Sequence, residues 1–244
     1  QNGHLINEGD LRMGSNSPVN RYGISLTTLG DLMNHPSGTI SIDQVQSALY
    51  AFGTGVLAKN EGEIRIGSIA TVSANGILLS GLAEMINDSS AEVFIDQCLH
   101  AVSIDNQAKL TNNAGIHIGS LLPITGNGIS LASGGDMVNL DSANVEINRT
   151  NQAIFATAFG STLANEGIFR IGNIASSNNG ISLASSASLN NQLTGMIEID
   201  AISINHGIQV SLSATFNNAG LIRIGTSTAI NKFGISLATS GDFN

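Results

Sequence analysis

"NEGEIRIG" spans residues 60 to 67, and two close variants occur elsewhere: "NEGDLRMG" at 7 to 14 and "NEGIFRIG" at 165 to 172. The glycine closing this stretch recurs at Gly14, Gly67, Gly119, Gly172 and Gly225, in steps of 53, 52, 53 and 53. A second series reads "YGISL", "NGILL", "NGISL", "NGISL" and "FGISL", with its glycines at Gly23, Gly76, Gly128, Gly180 and Gly234. A third ends in an acid or amide, at Asp43, Asp96, Asn148 and Asp200. Self-similarity at a fixed period of this size marks a repeat architecture and has to be read before anything else.

The unit divides again. Asparagine recurs at Asn7, Asn34, Asn60, Asn87, Asn113, Asn139, Asn165, Asn191, Asn218 and Asn244, always 26 or 27 residues apart. The elementary rung is therefore 26–27 residues, and two rung types alternate within a 53-residue superrepeat.

Each rung carries period-two alternation, as in Ile64-Arg65-Ile66, Val93-Phe94-Ile95 and Ile222-Arg223-Ile224. Such alternation sends the aliphatic residues to one face of a strand and their neighbours to the other. A second alternating stretch follows, for example Ile129-Ser130-Leu131, and helical spacing of apolar residues is absent. One rung cannot close a core alone. Stacked on its neighbour, strand over equivalent strand about 4.8 Å away, it can. The inward ladder is then Met13, Ile42, Ile66, Ile95, Ile118, Ile147, Ile171, Ile199 and Ile224. Burying each such side chain is worth roughly 1.5–3 kcal/mol as an upper bound. The expected fold is all-β: a single parallel β-helix (β-solenoid) over residues 1–244, with about nine rungs and no long loops. Its length would be about 43 Å.

The recurrent asparagines are expected to form a structural ladder, each corner amide bonding those above and below it. Asparagine also tolerates the left-handed backbone of a tight corner. Asn87-Asp88-Ser89 and Asn148-Arg149-Thr150 match the glycosylation acceptor pattern, but Asn87 falls in the inward series. The outward row beside the Ile ladder runs Arg12, Ser41, Arg65, Phe94, His117, Glu146, Arg170, Glu198 and Arg223. Arg170 between two glutamates is a favourable order, because opposite charges support each other across strands. The acids Asp43, Asp96 and Asp200 are separated by glycine rungs, so the two-rung unit reads as a charge-spacing device.

The features N-x-G-x-I-x-I, the asparagine corner series and the 26-residue coil resemble the right-handed parallel β-helix repeat proteins of bacterial surfaces, including adhesin-like passenger and stalk regions. The resemblance covers the whole chain, carries the handedness and implies an extracellular, cell-surface location. More loosely, it extends to polysaccharide lyases and hydrolases on the same scaffold.

The totals narrow the function classes. Net charge is -9 with only nine Lys and Arg, so nucleic-acid binding is not expected. No apolar run is long enough to span a membrane. Gln1 opens no secretory signal, as in a mature form or an excised piece. The single Cys98 allows no internal disulfide and reads as a small buried residue. His4, His35, His100, His117 and His206 share no short metal motif. A glycosidase would need two carboxylates about 5–9.5 Å apart in a walled cleft, and no rung carries an insertion long enough to build one. Tyr50, Phe155 and Phe94 could stack on sugars, but they are spread over two faces. The outward row Ser25, Tyr50, Leu78, Ser103, Ser130, Phe155, Ser182, Gln209 and Ser236 is too uneven for an ice-matching array.

Neither end shows a capping helix, so open strand edges are expected to pair with further repeats of the chain or with another copy. Head-to-tail stacking would set Arg223 beside Arg12, which favours the longer array. The leading expectation is a non-catalytic structural solenoid of an extracellular bacterial surface protein: an adhesin stalk, sheath or filament component. It needs no cofactor, catalytic residue or metal, and surface glycans are possible partners. The alternative is a carbohydrate-binding module or a polysaccharide lyase or hydrolase.

Overall fold

In the computed structural model, which describes residues 3–244, the chain coils as a parallel β-solenoid. Gln1, where no secretory leader is read, lies outside the described residues. Each turn contributes one strand to each of three parallel sheets. The first sheet has ten strands, at His4–Asn7, Asp31–Asn34, Leu57–Asn60, Glu84–Asn87, Lys109–Asn112, Asp136–Asn139, Thr162–Asn165, Ser188–Asn191, Thr215–Asn218 and Asp242–Phe243. These strands open turns 1 to 10. The second sheet runs from Asp10–Met13 to Leu221–Ile224 and the third from Tyr22–Thr27 to Ile235–Ala238, with nine strands each.

The register follows the alternation. Ile66 pairs with Ile42 on one side and Ile95 on the other, and the same row continues to Ile224. From Ile42 to Ile199 every member of this row is fully buried. The first sheet lines the lumen with Leu32, Ala58, Met85, Leu110, Met137, Leu163, Leu189 and Phe216. The third closes it with Ile24, Leu49, Ile77, Val102, Ile129, Ile154, Ile181 and Ile208. The sites Gly76 and Gly128 must stay small: a Cβ at Gly76 would lie 2.7 Å from Ile95 Cγ2, and one at Gly128 would lie 2.7 Å from Ile147 Cγ2.

Corner length, rather than charge alone, sets the two-turn repeat. Between second-sheet and third-sheet inward residues the chain advances 7 residues in turns 2, 4 and 6 (Ile42 to Leu49, Ile95 to Val102, Ile147 to Ile154). It advances 11 in turns 3 and 5 (Ile66 to Ile77, Ile118 to Ile129). The first-to-second-sheet corner compensates with 6 residues in even turns (Asn34 to Ile40) and 4 in odd ones (Asn60 to Ile64). The rung length therefore stays within 25–27 residues while its corners alternate. Extra residues in the long corners also produce bulges, between Ile124 and Asn127 and opposite Cys98 and His100.

The left-handed corner positions are not the ladder asparagines, which lie within strands. At the second-to-third-sheet corner of turns 2, 4 and 6 they are Gln44, Gln97 and Arg149, at φ 49°, 44° and 50°. In the odd turns the equivalent sharp bend falls on a glycine. Gly67 has φ 65°, and a Cβ there would lie 2.0 Å from the carbonyl oxygen of Asp96. Only glycine fits that approach.

Candidate functional site

The amide ladder is continuous along the corner of the first sheet. Nδ2 of Asn7 donates to Oδ1 of Asn34 at 2.8 Å, Asn34 to Asn60 at 2.7 Å, Asn60 to Asn87 at 2.9 Å and Asn87 to Asn112 at 2.9 Å. It continues from Asn112 to Asn139 at 2.8 Å, Asn139 to Asn165 at 2.8 Å, Asn165 to Asn191 at 2.7 Å and Asn191 to Asn218 at 2.8 Å. The remaining amide protons turn to backbone carbonyls, as Asn34 does to Gly38. Two positions differ from the sequence expectation. In turn 5 the ladder amide is Asn112, not Asn113, whose backbone N–H bonds the Asn87 carbonyl one step around the corner. Turn 4, from Asn87 to Asn112, is short at 25 residues, and adjacent asparagines hide the slip. Asn244 lies in register with Asn217 rather than Asn218, and its Nδ2 donates to Asn217 Oδ1 at 3.1 Å. It continues the outward amide row that joins Asn217 to Asn190.

The periodic acids have a different task from spacing charge. Asp43 Oδ1 accepts the backbone N–H groups of Ile69 and Ala70, one turn above. Asp96 Oδ1 accepts those of Leu121 and Leu122, and Asn148 Oδ1 those of Ile174 and Ala175. Asp200 Oδ1 accepts the N–H of Ser227 and the hydroxyl of Thr226. Each short corner thus holds up the long corner that follows it. One oxygen suffices: Asp43 Oδ2 and Asn148 Nδ2 are buried without a hydrogen-bond partner. Burial pushes the Asp200 carboxyl up, but the backbone and hydroxyl hydrogen bonds from Ser227 and Thr226 outweigh it and bring it below the ordinary aspartate value. These carboxylates are engaged with backbone and are no acid/base pair in a cleft.

Outward on the second sheet, charges alternate. His117 sits between Glu92 (2.9 Å) and Glu146 (3.4 Å), and Arg170 between Glu146 (3.7 Å) and Glu198 (3.2 Å). Glu198 also takes Arg223 at 2.9 Å. Phe94 is sandwiched, with the Arg65 guanidinium 4.6 Å from its ring centre on one side and the His117 ring 4.9 Å away on the other. Both faces that could stack on a sugar are covered. On the third sheet Tyr22 stacks on Tyr50 at 4.5 Å, and Phe52 lies parallel to Tyr50. Phe155 stands between Ser130 and Ser182.

The other candidates are placed as follows. Cys98 is buried, and burial pushes its thiol up to about 12, which leaves it unreactive. His100 and His206 occupy one row four turns apart, and burial holds both below the ordinary histidine value. Among the described residues no three His, Cys, Asp or Glu side chains group as metal ligands, and no helix is long and apolar enough to cross a membrane. Asn87 and Asn148 are fully buried, so neither acceptor pattern can take a glycan.

One feature escapes repeat counting. Two residues after the corner glycine, the long corners carry Ile69, Leu121 and Ile174, which are 70%, 68% and 57% exposed. The readable signal was an apolar letter in "GSIA", "GSLL" and "GNIA". Compared with known protein families, with curated proteins and with solved structures, the chain shows no match.

Proposed function

We propose that the chain is a non-catalytic structural solenoid of an extracellular bacterial surface protein, acting as a stiff stalk, sheath or filament component. The observation that carries this reading is the unbroken run of three parallel sheets through nine turns. Every turn is hydrogen-bonded to the next by strands, ladder asparagines join turns 1 to 9, and Asp43, Asp96, Asn148 and Asp200 tie each short corner to the long corner after it. Bending such a rod means breaking several of these at once, and trimming it means opening a closed coil. The conspicuous polar and aromatic side chains support the same reading, because Asp43, Asp96, Phe94 and Arg170 are spent on neighbouring turns. Further turns of the same kind, in this chain or in a neighbouring copy, are the fitting partners for the strands at either end.

Three measurements test this. Small-angle scattering and negative-stain images should show a rod whose length grows by about 4.8 Å per turn. Proteolysis should be slow, with first cuts at corners. An antibody raised against the chain should label intact cells of its source. Release of new reducing ends or unsaturated sugars from a polysaccharide panel would overturn the reading in favour of the lyase or hydrolase alternative.

A further inference from the structure

The exposed apolar residues of the second-to-third-sheet corner form a regular relief. Ile69, Leu121 and Ile174 project from turns 3, 5 and 7, two turns or about 9.6 Å apart. Over the short corner of turn 4 lies a hollow lined by Val72, Leu99 and Pro123 together with the polar Thr71, Gln97 and Thr125. The equivalent hollow over turn 2 is lined by Pro18, Val19 and Ala70 together with the polar Asn20, Gln44 and Gln46. Alternating corner lengths therefore create a row of knobs and a row of hollows with the same spacing, offset by one turn.

The charge distribution selects this edge. The long corners at 67–75, 119–128 and 172–180 contain no charged residue. The first-to-second-sheet corner carries Glu8, Glu61, Asp88, Asp141 and Glu166. Two copies with a net charge of -9 each repel, least so along this edge, where Asp43, Asp96 and Asp200 are buried and the remaining charges are the cations Arg21, Arg149 and Lys232.

We propose that this edge is the interface between two copies of the chain, packed side by side and antiparallel, with knobs of one in hollows of the other. A two-fold axis between turns 4 and 5 closes the pair. It lays turn 5 of one copy over turn 4 of the other, turn 7 over turn 2, and turn 3 over turn 6. Leu121 then enters the turn-4 hollow and Ile174 the turn-2 hollow. Ile69 of one copy comes within one turn of Ile174 in the other, while the two copies of Ile69 are three turns apart.

The experiment is analytical ultracentrifugation of the whole chain over a concentration series. A dimer is expected. Leu121→Lys and Ile174→Lys should each weaken it by about tenfold or more, since a charge replaces the apolar knob at a covered contact, with the β-sheet circular dichroism spectrum unchanged. Phe159→Lys and Leu193→Lys, at still more exposed apolar residues on the other two corners (87% and 83%), should leave it intact. With a short bis-maleimide, Ile69→Cys mixed with Ile174→Cys should link, and Ile69→Cys alone should not. A monomer at all concentrations, equal loss in the control variants, or self-linking of Ile69→Cys would overturn the proposal.

Discussion

Asp96 of turn 4 holds Leu121 of turn 5. Its Oδ1 accepts the Leu121 backbone N–H at 3.1 Å and that of Leu122 at 3.0 Å. The bond joins the two kinds of turn and explains why they alternate. Asp96→Ala should cost at least about 2 kcal/mol in urea unfolding, because two backbone donors lose their acceptor. Asp96→Asn should cost well under half as much, because Asn148 already serves this place with one oxygen. Equal losses for the two variants would contradict the assignment.

The amide ladder makes a paired prediction at turns 5 and 6. Asn139→Ala removes the acceptor of Asn112 and the donor to Asn165, and should destabilise by about 2–4 kcal/mol. Asn113→Ala, which loses only a side-chain hydrogen bond to Asp88, should cost no more than about 1 kcal/mol. Thermal melts of the two variants check this, and a reversed order would place the ladder on the wrong residue.

The backbone makes another. At Gly67, φ is 65° and an added Cβ meets the Asp96 carbonyl. Gly67→Ala should lose at least about 2 kcal/mol or fail to fold. Gly9→Ala, where an added Cβ has nothing within 4 Å, should be near neutral. Urea midpoints separate the two.

Most of the architecture is visible in the letters. The Ile66 row, the outward row through Arg170 and the Asn7-to-Asn218 amides follow from period two within strands and 26–27 between them. Corners are harder to read. A repeat count cannot distinguish Asn112 from Asn113, because one deleted residue leaves the letter unchanged. It places Asp43 and Asp96 at strand ends but leaves their partners unread, because a strand-end acid looks the same whether it faces solvent or a backbone N–H one turn up. The knobs at Ile69, Leu121 and Ile174 were hidden for a related reason. Exposure at a corner depends on how far the neighbouring corner retreats, which is a property of two turns.

Charge alternation has a salt signature. Arg170→Glu would set three acids in adjacent turns, Glu146 and Glu198 flanking the new one. Each of these half-buried surface pairs contributes about 1 kcal/mol or less, so Arg170→Ala should cost no more than about 2 kcal/mol. Arg170→Glu should be clearly worse at low salt and recover towards Arg170→Ala near 1 M salt, where screening acts over about 3 Å. Melting temperatures at the two salt concentrations test it.

Acid should destabilise the fold in two stages. His100 and His206 have folded pKa values below 6.5, lowered by burial, with Lys232 adding to the effect at His206. The unfolded chain then takes up these protons first, so their contribution is present above pH 6.5 and is lost as pH falls below it. Asp200 is lowered below 3.8, and its contribution is present above that value and lost as pH falls through the folded pKa. Urea midpoints against pH should show a shallow decline below about 6.5 and a steeper one below about 4. His100→Gln should flatten the first.

The stacking of one turn on the next is tested most directly by two pairs of nearly isosteric cysteine substitutions. Ser103 and Ser130 are partners on adjacent third-sheet strands, and Ser130 and Ser182 are separated by the strand of Phe155. A disulfide needs Cα atoms within about 7 Å. Under mild oxidation S103C/S130C should close almost completely in the folded protein, counted as lost free thiols, and S130C/S182C should stay open with Cys98 protected. Closure of the second pair in preference to the first would contradict the coil.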